Sequence, residues 1–476
     1  MIASCAMSAR GEWALLLPGQ DLQLLPSTAA MVERMEGAGK VRAICRQRQA
    51  LERLAVWTTR ETIVRGMPLP SVGLRPKSNF RGHSLEVGHV GRGGNLRGWS
   101  VSSGAAMLDD DDADEIAPCP QSPESRDELR AAGAATHAVV SAWHEHVSAC
   151  GLTPRMSAGA TAAQLLPPTW RRAARALGQS PQWHELRGSY YGGRVECRRP
   201  GWSGEAVEYD IRSAYGASIA GKWGFIPDWK LYQREPRARE PGWFDATVSA
   251  TPGAPLPMRR QDARGRAAGL MWVEDGATWR GWFTRADLEL PGVEIVCIHR
   301  ALAGRYSDDL QRGAEHLLQL RDDSKDQTRR AVIRLLLVAL AGKLAQRRVD
   351  WRVWVPALGQ EPPESAVIIG DPKNGIMVYA ASNDTPSPHY LPHVAAYVTA
   401  YPRGELYREL QRAGSRAIYC DTDSIHVEAG TPPPLDLGSG FGQWAEKASG
   451  DAHYESARHY RIGAKIVQLD GPRVRT

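Results

Sequence analysis

Two acidic segments of the sequence have the residue types and spacing that phosphoryl transfer requires. The first, Tyr419–Ser424, reads Tyr-Cys-Asp-Thr-Asp-Ser and places Asp421 and Asp423 two residues apart. The apolar residues around it predict a strand over Ala417–Asp421, a turn, and a second strand over Ser424–Glu428. Carboxylates at the tip of a hairpin can bind a divalent cation, although Asp-Thr-Asp-Ser is also good chemistry for an ordinary polar turn.

The second segment lies far upstream and begins with Asp210. This carboxylate ends the apolar run Val207–Asp210, which predicts a buried strand. The small residues that follow predict a sharp turn into a helix, and the backbone N–H groups of Arg212–Tyr215 would form a phosphate-binding turn. Taken alone, the segment is also compatible with a strand that ends in an N-capping aspartate.

Both segments resemble motifs of the family B DNA polymerases, D-x-x-S-L-Y-P-S-I and Y-x-D-T-D-S, and they occur in the expected order. Asp210, Ser213 and Tyr215 keep the family spacing, whereas Ala214 and Gly216 replace Leu and Pro. The five fixed residues of the second motif would arise by chance in a chain of this length on the order of once in ten thousand. The resemblance implies a DNA polymerase that adds dNTPs to a primer 3′-hydroxyl.

Two further segments resemble the protein-primed polymerases of bacteriophages and linear plasmids. Tyr190-Tyr191-Gly192-Gly193 matches the Y-x-G-G linker, which in that family contacts the single-stranded template. Arg458-His459-Tyr460 stands where the family has K-x-Y, a primer contact, so Arg458 and Tyr460 are expected to bind DNA. The resemblance assigns DNA contacts to Tyr419 and Thr422 as well.

The resemblance also assigns the catalytic roles. Asp210 and Asp423 would bind two Mg²⁺ ions, for which Mn²⁺ can substitute, and Asp421 would support them. Two metals about 3.5–4 Å apart stabilise both the attacking and the leaving oxygen of phosphoryl transfer. Without cations, each close pair of carboxylates costs about 4 kcal/mol at an effective dielectric near 20. Ser213, Ala214 and Tyr215 would contact the nucleotide, with the Tyr215 ring as a steric gate against a ribose 2′-hydroxyl.

The fingers motif of the family, K-x-x-x-N-S-x-Y-G-K, is only partly retained. Aligned on Gly342-Lys343, this chain keeps a basic triphosphate ligand as Arg334, with Arg330 one turn earlier, and lacks the Asn, Ser and Tyr. Helices are predicted over Asp308–Leu320 and Gln327–Gln346, which gives a helical hairpin. A buried helix with two solvated arginines at one end is the alternative interpretation.

The implied fold class is α+β: a right-hand polymerase with an antiparallel-sheet palm and helical-hairpin fingers, preceded by a degenerate RNase H-like exonuclease domain. No D-x-E occurs in residues 1–185, and Asp127 stands in the first turn of a predicted helix over Arg126–Ala149, so we expect no proofreading. The predicted domains are 1–182 (exonuclease-like), 183–204 (Y-x-G-G linker), 205–304 (palm with an insertion in the terminal-protein region), 305–347 (fingers) and 348–476 (palm with a second insertion and a minimal thumb).

The bulk properties agree with these expectations without proving them. The net charge of +6 suits a polyanionic partner. Seven scattered cysteines without a CxxC pair argue against a disulfide framework or a structural zinc site and fit a reducing cytoplasm. We expect a cytoplasmic protein with no membrane partner, which binds template and primer DNA, dNTPs and a terminal or processivity protein. The acidic run Asp109–Glu115 is expected to be a solvated loop, with a metal site as the alternative.

Two other functions stay open at this point. One is a catalytically reduced scaffold that binds nucleic acid or a terminal protein, and the other is a specialised polymerase for damage bypass or gap filling. The retained Asp210, Tyr215, Asp421 and Asp423 favour an enzyme, because a protein that only binds has no need for carboxylates that repel one another.

Overall fold

The computed structural model describes residues 2–8, 10–38, 42–47, 50–51, 54, 71–72, 84–90, 96–103, 113, 116–155, 157–177, 182–251, 256–261, 267–272, 277–354, 367–369 and 376–468. The carboxylates of the acidic run lie outside these residues. Within the described part of the chain, no helix is long and apolar enough to cross a membrane. The chain folds into two compact units, one of Met1–Gln164, Arg321–Leu336 and Arg348–Thr385, and one of Leu165–Leu320, Leu337–Arg347 and Pro386–Thr476. The five predicted domains do not coincide with these units, since residues 305–347 and 348–476 are each divided between the two, and they stay a prediction.

The α-helices of the described residues are α1 (Thr28–Gly37), α2 (Arg126–Ala149), α3 (Ala158–Ala162), α4 (Pro168–Leu177), α5 (Gln182–Arg187), α6 (Ala214–Ile219), α7 (Arg285–Leu288), α8 (Asp309–Asp322), α9 (Gln327–Ala345) and α10 (Pro392–Ala413). The strands are β1 (Ala3–Met7), β2 (Trp13–Leu16), β3 (Gln23–Leu25), β4 (Arg42–Cys45), β5 (Ser71–Val72), β6 (Ser84–Val90), β7 (Leu96–Ser103), β8 (Val195–Cys197), β9 (Trp202–Ile211), β10 (Gly242–Ala250), β11 (Pro257–Gln261), β12 (Ala267–Trp272), β13 (Thr278–Thr284), β14 (Val293–Ala303), β15 (Arg347–Trp354), β16 (Val367–Ile369), β17 (Ile376–Pro386), β18 (Ala417–Asp421), β19 (Ser424–Glu428), β20 (Trp444–Ser456), β21 (His459–Ile462) and β22 (Lys465–Gln468).

The first unit contains a mixed sheet in the order β3-β2-β1-β4-β7-β6-β5. Strand β1 is antiparallel to β2 and parallel to β4, and β4 is parallel to β7. Helix α2 packs on β1 and β2 through Leu129 and Ala132. Its first turn carries a Ser125–Glu128 capping box, and Asp127 pairs with Arg130 at 3.1 Å, as expected of a helix-start carboxylate. This order of strands agrees with the RNase H-like topology that the resemblance implies.

The second unit contains the sheet that we call the palm sheet, in the order β22-β21-β20-β9-β19-β18-β8. Its neighbouring strands are all antiparallel. One face packs against α10, where Ile211, Ile425 and Trp444 meet Leu406 and Leu410. The antiparallel-sheet palm predicted from the resemblance is therefore confirmed.

Three smaller features complete the fold. The sheet β13-β10-β14 and the hairpin β11-β12 form the insertion between α6 and α8. Helices α8 and α9 follow each other closely along the chain and confirm the two helices predicted there, while their role as fingers stays a prediction. A second small sheet, β15-β17-β16, lies between α9 and α10 along the chain.

Candidate active site

The three predicted carboxylates lie at neighbouring strand ends of the palm sheet. Asp421 ends β18 and Asp423 stands in the turn before β19, whose first residue, Ser424, pairs with Asp210 of β9. The backbone N–H of Ile211 donates to the Asp423 carbonyl over 2.9 Å, which fixes the turn against β9. The fold thus brings Asp210 and Asp423 together from distant parts of the sequence.

The turn holds its conformation through several contacts. Thr422 has a φ of 62°, which is rare and costly for a β-branched residue. Its N–H donates to the Arg194 carbonyl over 2.6 Å, and its hydroxyl donates to the Asp421 carboxylate over 3.0 Å. Strained backbone that the surrounding structure over-determines is common at functional sites.

The electrostatics of the site favour a bound cation. Burial raises the pKa of Asp423 well above its usual value, and the charges of Asp210 and Asp421 raise it further. Burial also raises the pKa of Asp210, while the Lys447 ammonium acts in the opposite direction. A divalent cation at these carboxylates would offset both the loss of hydration and the mutual repulsion.

The protein side chains at this site provide only some of the oxygen ligands that a divalent cation needs. Among the described residues, no group of three or more His, Cys, Asp or Glu side chains is arranged to hold a metal ion. Mg²⁺ in nucleotide-dependent enzymes is usually bound by one or two carboxylates together with substrate phosphates and water. Asp210 and Asp423 match that pattern, in which a nucleotide would supply the missing oxygens.

The Y-x-G-G segment lies directly against this turn. A Cβ atom added at Gly193 would stand 2.6 Å from both Cα and Cγ2 of Thr422, so only glycine permits this approach. The Tyr191 carbonyl accepts from the Thr399 hydroxyl over 2.8 Å, and the carbonyls of Tyr191 and Gly192 each accept from Arg403 over 3.1 Å. Helix α10 therefore holds the segment that packs against the Asp421–Asp423 turn.

Arg403 is paired with a second buried charge. Its guanidinium donates to Asp287 over 2.6 Å, and the two side chains are 1% and 0% exposed. The other Asp287 oxygen accepts from the backbone and the hydroxyl of Thr284, in a capping box at the start of α7. No sequence motif marked Thr399, Arg403 or Asp287 as support for the turn. The available signal was the pair Thr399 and Arg403, four residues apart on an otherwise apolar stretch of helix.

Replacing Asp287 with Asn is expected to lower the free energy of unfolding by about 3–5 kcal/mol, because it leaves the Arg403 charge buried and unpaired. Denaturant unfolding measures this loss. The matched control is Asp245→Asn, which breaks the pair with Arg280, a side chain 59% exposed, and is expected to cost less than about 1 kcal/mol. Equal losses in the two variants would contradict a structural role for the Asp287–Arg403 pair.

The turn after Asp210 offers fewer backbone N–H groups to a phosphate than the sequence predicts. Ser213 adopts the left-handed conformation with a φ of 51°, and the six-residue helix α6 begins at Ala214. The N–H of Arg212 donates to the Gln443 carbonyl over 2.9 Å, so it is not available to a phosphate. Tyr215 is half-buried, and burial raises the pKa of its hydroxyl, with the negative charge of Asp423 raising it further.

Three of the tyrosines predicted to bind DNA are core residues. Tyr191, Tyr419 and Tyr460 are at most 7% exposed. The Tyr419 ring packs against the rings of Tyr460 and His426, whose centroids are each 4.9 Å away, and its hydroxyl donates to Asp421 over 3.3 Å. The Tyr191 ring stacks on Phe283, and the Tyr460 ring stacks on Tyr454, so these rings belong to the protein core and their DNA contacts stay a prediction. Tyr190 is half-buried, and its predicted DNA contact stays a prediction.

Two cations accompany the carboxylates, and the sequence analysis missed one of them. Arg458, with a φ of 62°, places its guanidinium 3.7 Å from Asp421, and its backbone N–H donates to the Tyr419 hydroxyl over 3.1 Å. The Lys447 ammonium lies 3.7 Å from Asp210. No motif marked Lys447, because its approach depends on the pairing of β20 with β9.

The two predicted fingers cations lie on α9, in its part that belongs to the first unit. Arg334 is exposed and Arg330 is half-buried. One turn further, Val338 is 42% exposed, whereas Leu336 and Leu340 are fully buried. The helix therefore has an exposed stripe that includes Arg334. Triphosphate binding by Arg330 and Arg334 stays a prediction.

The whole chain has the fold of Phi29 DNA polymerase. The ternary complex of that enzyme with primer–template DNA and incoming nucleotide substrates matches with a TM-score of 0.68 and 16% identity, over 98% of this chain and 89% of that chain. An orthorhombic crystal form gives a TM-score of 0.70 at 15% identity, over 99% and 90%. The post-translocation binary complex with primer–template DNA gives 0.69 at 16%, over 99% and 90%. No protein-family profile and no curated protein matches by sequence. The resemblance to protein-primed family B polymerases is therefore confirmed for the fold.

Proposed function

We propose that this chain is a template-directed DNA polymerase that transfers nucleotides from dNTPs to a primer 3′-hydroxyl with two Mg²⁺ or Mn²⁺ ions. The observation that carries the proposal is the position of Asp210 and Asp423 at neighbouring strand ends of the palm sheet. They occur in a chain with the fold of an enzyme described in complex with primer–template DNA and nucleotides.

The positions of the residues suggest a different role for each of them in nucleotide transfer. Bound metals would polarise the 3′-hydroxyl and neutralise charge on the triphosphate. Asp210 and Asp423 would hold them, while Asp421, engaged by Thr422 and Tyr419, would orient the turn. The Tyr215 ring would lie beneath the sugar and exclude a 2′-hydroxyl. Arg458 would contact the primer strand.

Primer extension tests this proposal. The purified chain is given a labelled primer–template duplex, dNTPs and Mg²⁺, with Asp423→Ala as the control. Extension that requires both metal and Asp423 supports the proposal. A folded wild-type chain that extends no primer with Mg²⁺ or Mn²⁺, with a DNA primer or with a supplied protein primer, would refute it.

A catalytically reduced scaffold is the second candidate. The observation in its favour is that Asp210 and Asp421 already have counter-ions in the chain, Lys447 and Arg458, each 3.7 Å away. A protein that only binds nucleic acid could keep its carboxylates in this way. DNA binding without extension would assign this function, and poor base-pair discrimination during extension would favour a bypass or gap-filling polymerase.

We further propose that the N-terminal unit has no 3′–5′ exonuclease activity. Its interior strand β1, Ala-Ser-Cys-Ala-Met, carries no carboxylate, and Ser4 and Cys5 are fully buried. The proofreading exonuclease that the resemblance implies would need D-x-E on a strand, together with further carboxylates, to hold its catalytic metals. The Asp423→Ala protein is therefore expected to leave a 5′-labelled single-stranded oligonucleotide intact with Mg²⁺ or Mn²⁺. Shortening of the strand from its 3′ end would disprove this.

A further inference from the structure

Lys447 reaches the active site because β20 contains an irregularity. On this strand Ala445 pairs with Asp210, Glu446 with Tyr209 and Ala448 with Glu208, so the register shifts at Lys447. Such a β-bulge inserts one residue and redirects its side chain. In consequence the Lys447 ammonium lies 3.7 Å from Asp210, with its side chain 47% exposed.

Among the described ion pairs, Lys447 is the cation that pairs with Asp210, because the neighbouring cations pair with other carboxylates. Glu208, two residues earlier on β9, is bound by Lys465, whose ammonium donates to both carboxylate oxygens over 2.7 Å. Asp421 has Arg458 beside it. The Lys447 charge also opposes the rise in the pKa of Asp423, so its field extends over both proposed metal ligands.

We propose that Lys447 is the resident counter-ion of Asp210 in the metal-free protein and must move aside before a divalent cation binds. This inference rests on the proposed function of Asp210 as a metal ligand. An ammonium that neutralises a carboxylate weakens the attraction for a second cation and repels it. Because lysine has a long flexible stem and the side chain is half-exposed, the ammonium can swing into solvent or onto the phosphates of an incoming nucleotide.

The functional consequence is that metal binding depends on nucleotide. A metal that arrives alone must displace Lys447 with only two carboxylates to bind. A metal that arrives with a triphosphate brings its own anionic oxygens, which also accept the displaced ammonium. Lys447 would therefore act as a positioning residue that neutralises Asp210 before a metal binds. It would also raise the metal concentration that the protein needs for binding when no nucleotide is present.

Direct metal binding tests this inference. The free Mn²⁺ concentration is measured by electron paramagnetic resonance during titration of the full chain, without and with a dNTP. In Lys447→Met, or in Lys447→Gln if the first variant is unstable, the Mn²⁺ dissociation constant without nucleotide is expected to fall by roughly fivefold. With dNTP present the difference should shrink to less than about twofold. Lys447→Arg, which keeps the charge, should remain close to wild type.

Lys222→Met is the matched control, because Lys222 is 37% exposed and pairs with Asp436 at 3.1 Å, outside the carboxylate cluster. It should leave Mn²⁺ binding unchanged. In an Asp210→Asn background, Lys447→Met should have no effect. Unchanged or weaker Mn²⁺ binding in folded Lys447→Met would overturn the inference. The assay is independent of catalysis, so tighter binding in a chain that extends no primer would refute the proposed function and leave this inference standing.

Discussion

Replacing Asp423 with Asn is expected to reduce primer extension by about 10³- to 10⁴-fold while the fold stays intact. Asparagine keeps the size of the side chain and the backbone contact to Ile211. It removes the charge that would hold the catalytic metals. Single-turnover extension under saturating Mg²⁺ and dNTP measures the effect.

The stability of the same variant separates a catalytic role from a structural one. The pKa of Asp423 is raised in the folded protein. A carboxyl of this kind makes the fold less stable once the pH exceeds its unfolded-state pKa, which is about 3.9. In metal-free buffer at pH 7, Asp423→Asn should therefore unfold at the same or a higher temperature than wild type. A large fall in stability would mean that the carboxylate serves the fold.

Asp421→Asn is the matched comparison. The Asp421 side chain accepts hydrogen bonds from Thr422 and Tyr419 and lies beside Arg458, so its first role is to orient the turn. An amide can retain part of these contacts, and we expect a loss of about tenfold. Equal losses in both variants would show that Asp421 is also a principal metal ligand.

Replacing Gly193 with Ala is expected to lower primer extension by about 10- to 100-fold, because the new methyl group displaces the catalytic turn. A Cβ atom would stand 2.6 Å from Cα and Cγ2 of Thr422, closer than van der Waals contact allows. Thr422 lies between the two carboxylates, and a shift of about 1 Å in reacting groups can cost a hundredfold in rate.

The adjacent glycine provides the control. A Cβ atom added at Gly192 meets no atom within 4 Å, so Gly192→Ala should extend primers at a rate close to that of wild type. Circular dichroism and thermal melting would confirm that both variants fold. If the two substitutions had the same effect, support of the turn by the Y-x-G-G segment would be excluded.

Helices and strands that are marked by a local pattern of apolar and polar residues could be predicted from the sequence. The strands on either side of the turn, Ala417–Asp421 and Ser424–Glu428, have the predicted bounds, as does helix Arg126–Ala149. The basic stretch Val41–Trp57 has a sequence pattern that predicts a helix, whereas Arg42–Cys45 within it forms a strand. That strand lies between two parallel neighbours, β1 and β7, and this pairing of distant segments leaves no helix-breaking signal nearby.

The carboxylates of the candidate site could be predicted from the sequence, whereas most of the residues that pack around them could not. Asp210, Asp421 and Asp423 were identified because their motifs are short and ordered. Burial of Tyr419, which was expected to meet DNA, depends on Tyr454 and Tyr460 from a later hairpin. A motif records that a residue type is required at a position and does not record whether its ring faces a ligand or the core. The approach of Lys447 follows from a register shift, which no residue type marks.

The buried pair of Asp287 and Arg403 has a consequence for attempts to shorten the chain. The acid lies on α7, within residues 242–303, whereas the base lies on α10 and binds the backbone of the Y-x-G-G segment. A minimal enzyme made by deleting residues 242–303 would lose the acid and keep the base without its partner. Such a deletion would therefore disturb the Asp421–Asp423 turn through Arg403 and the Y-x-G-G segment, unless Arg403 were replaced at the same time.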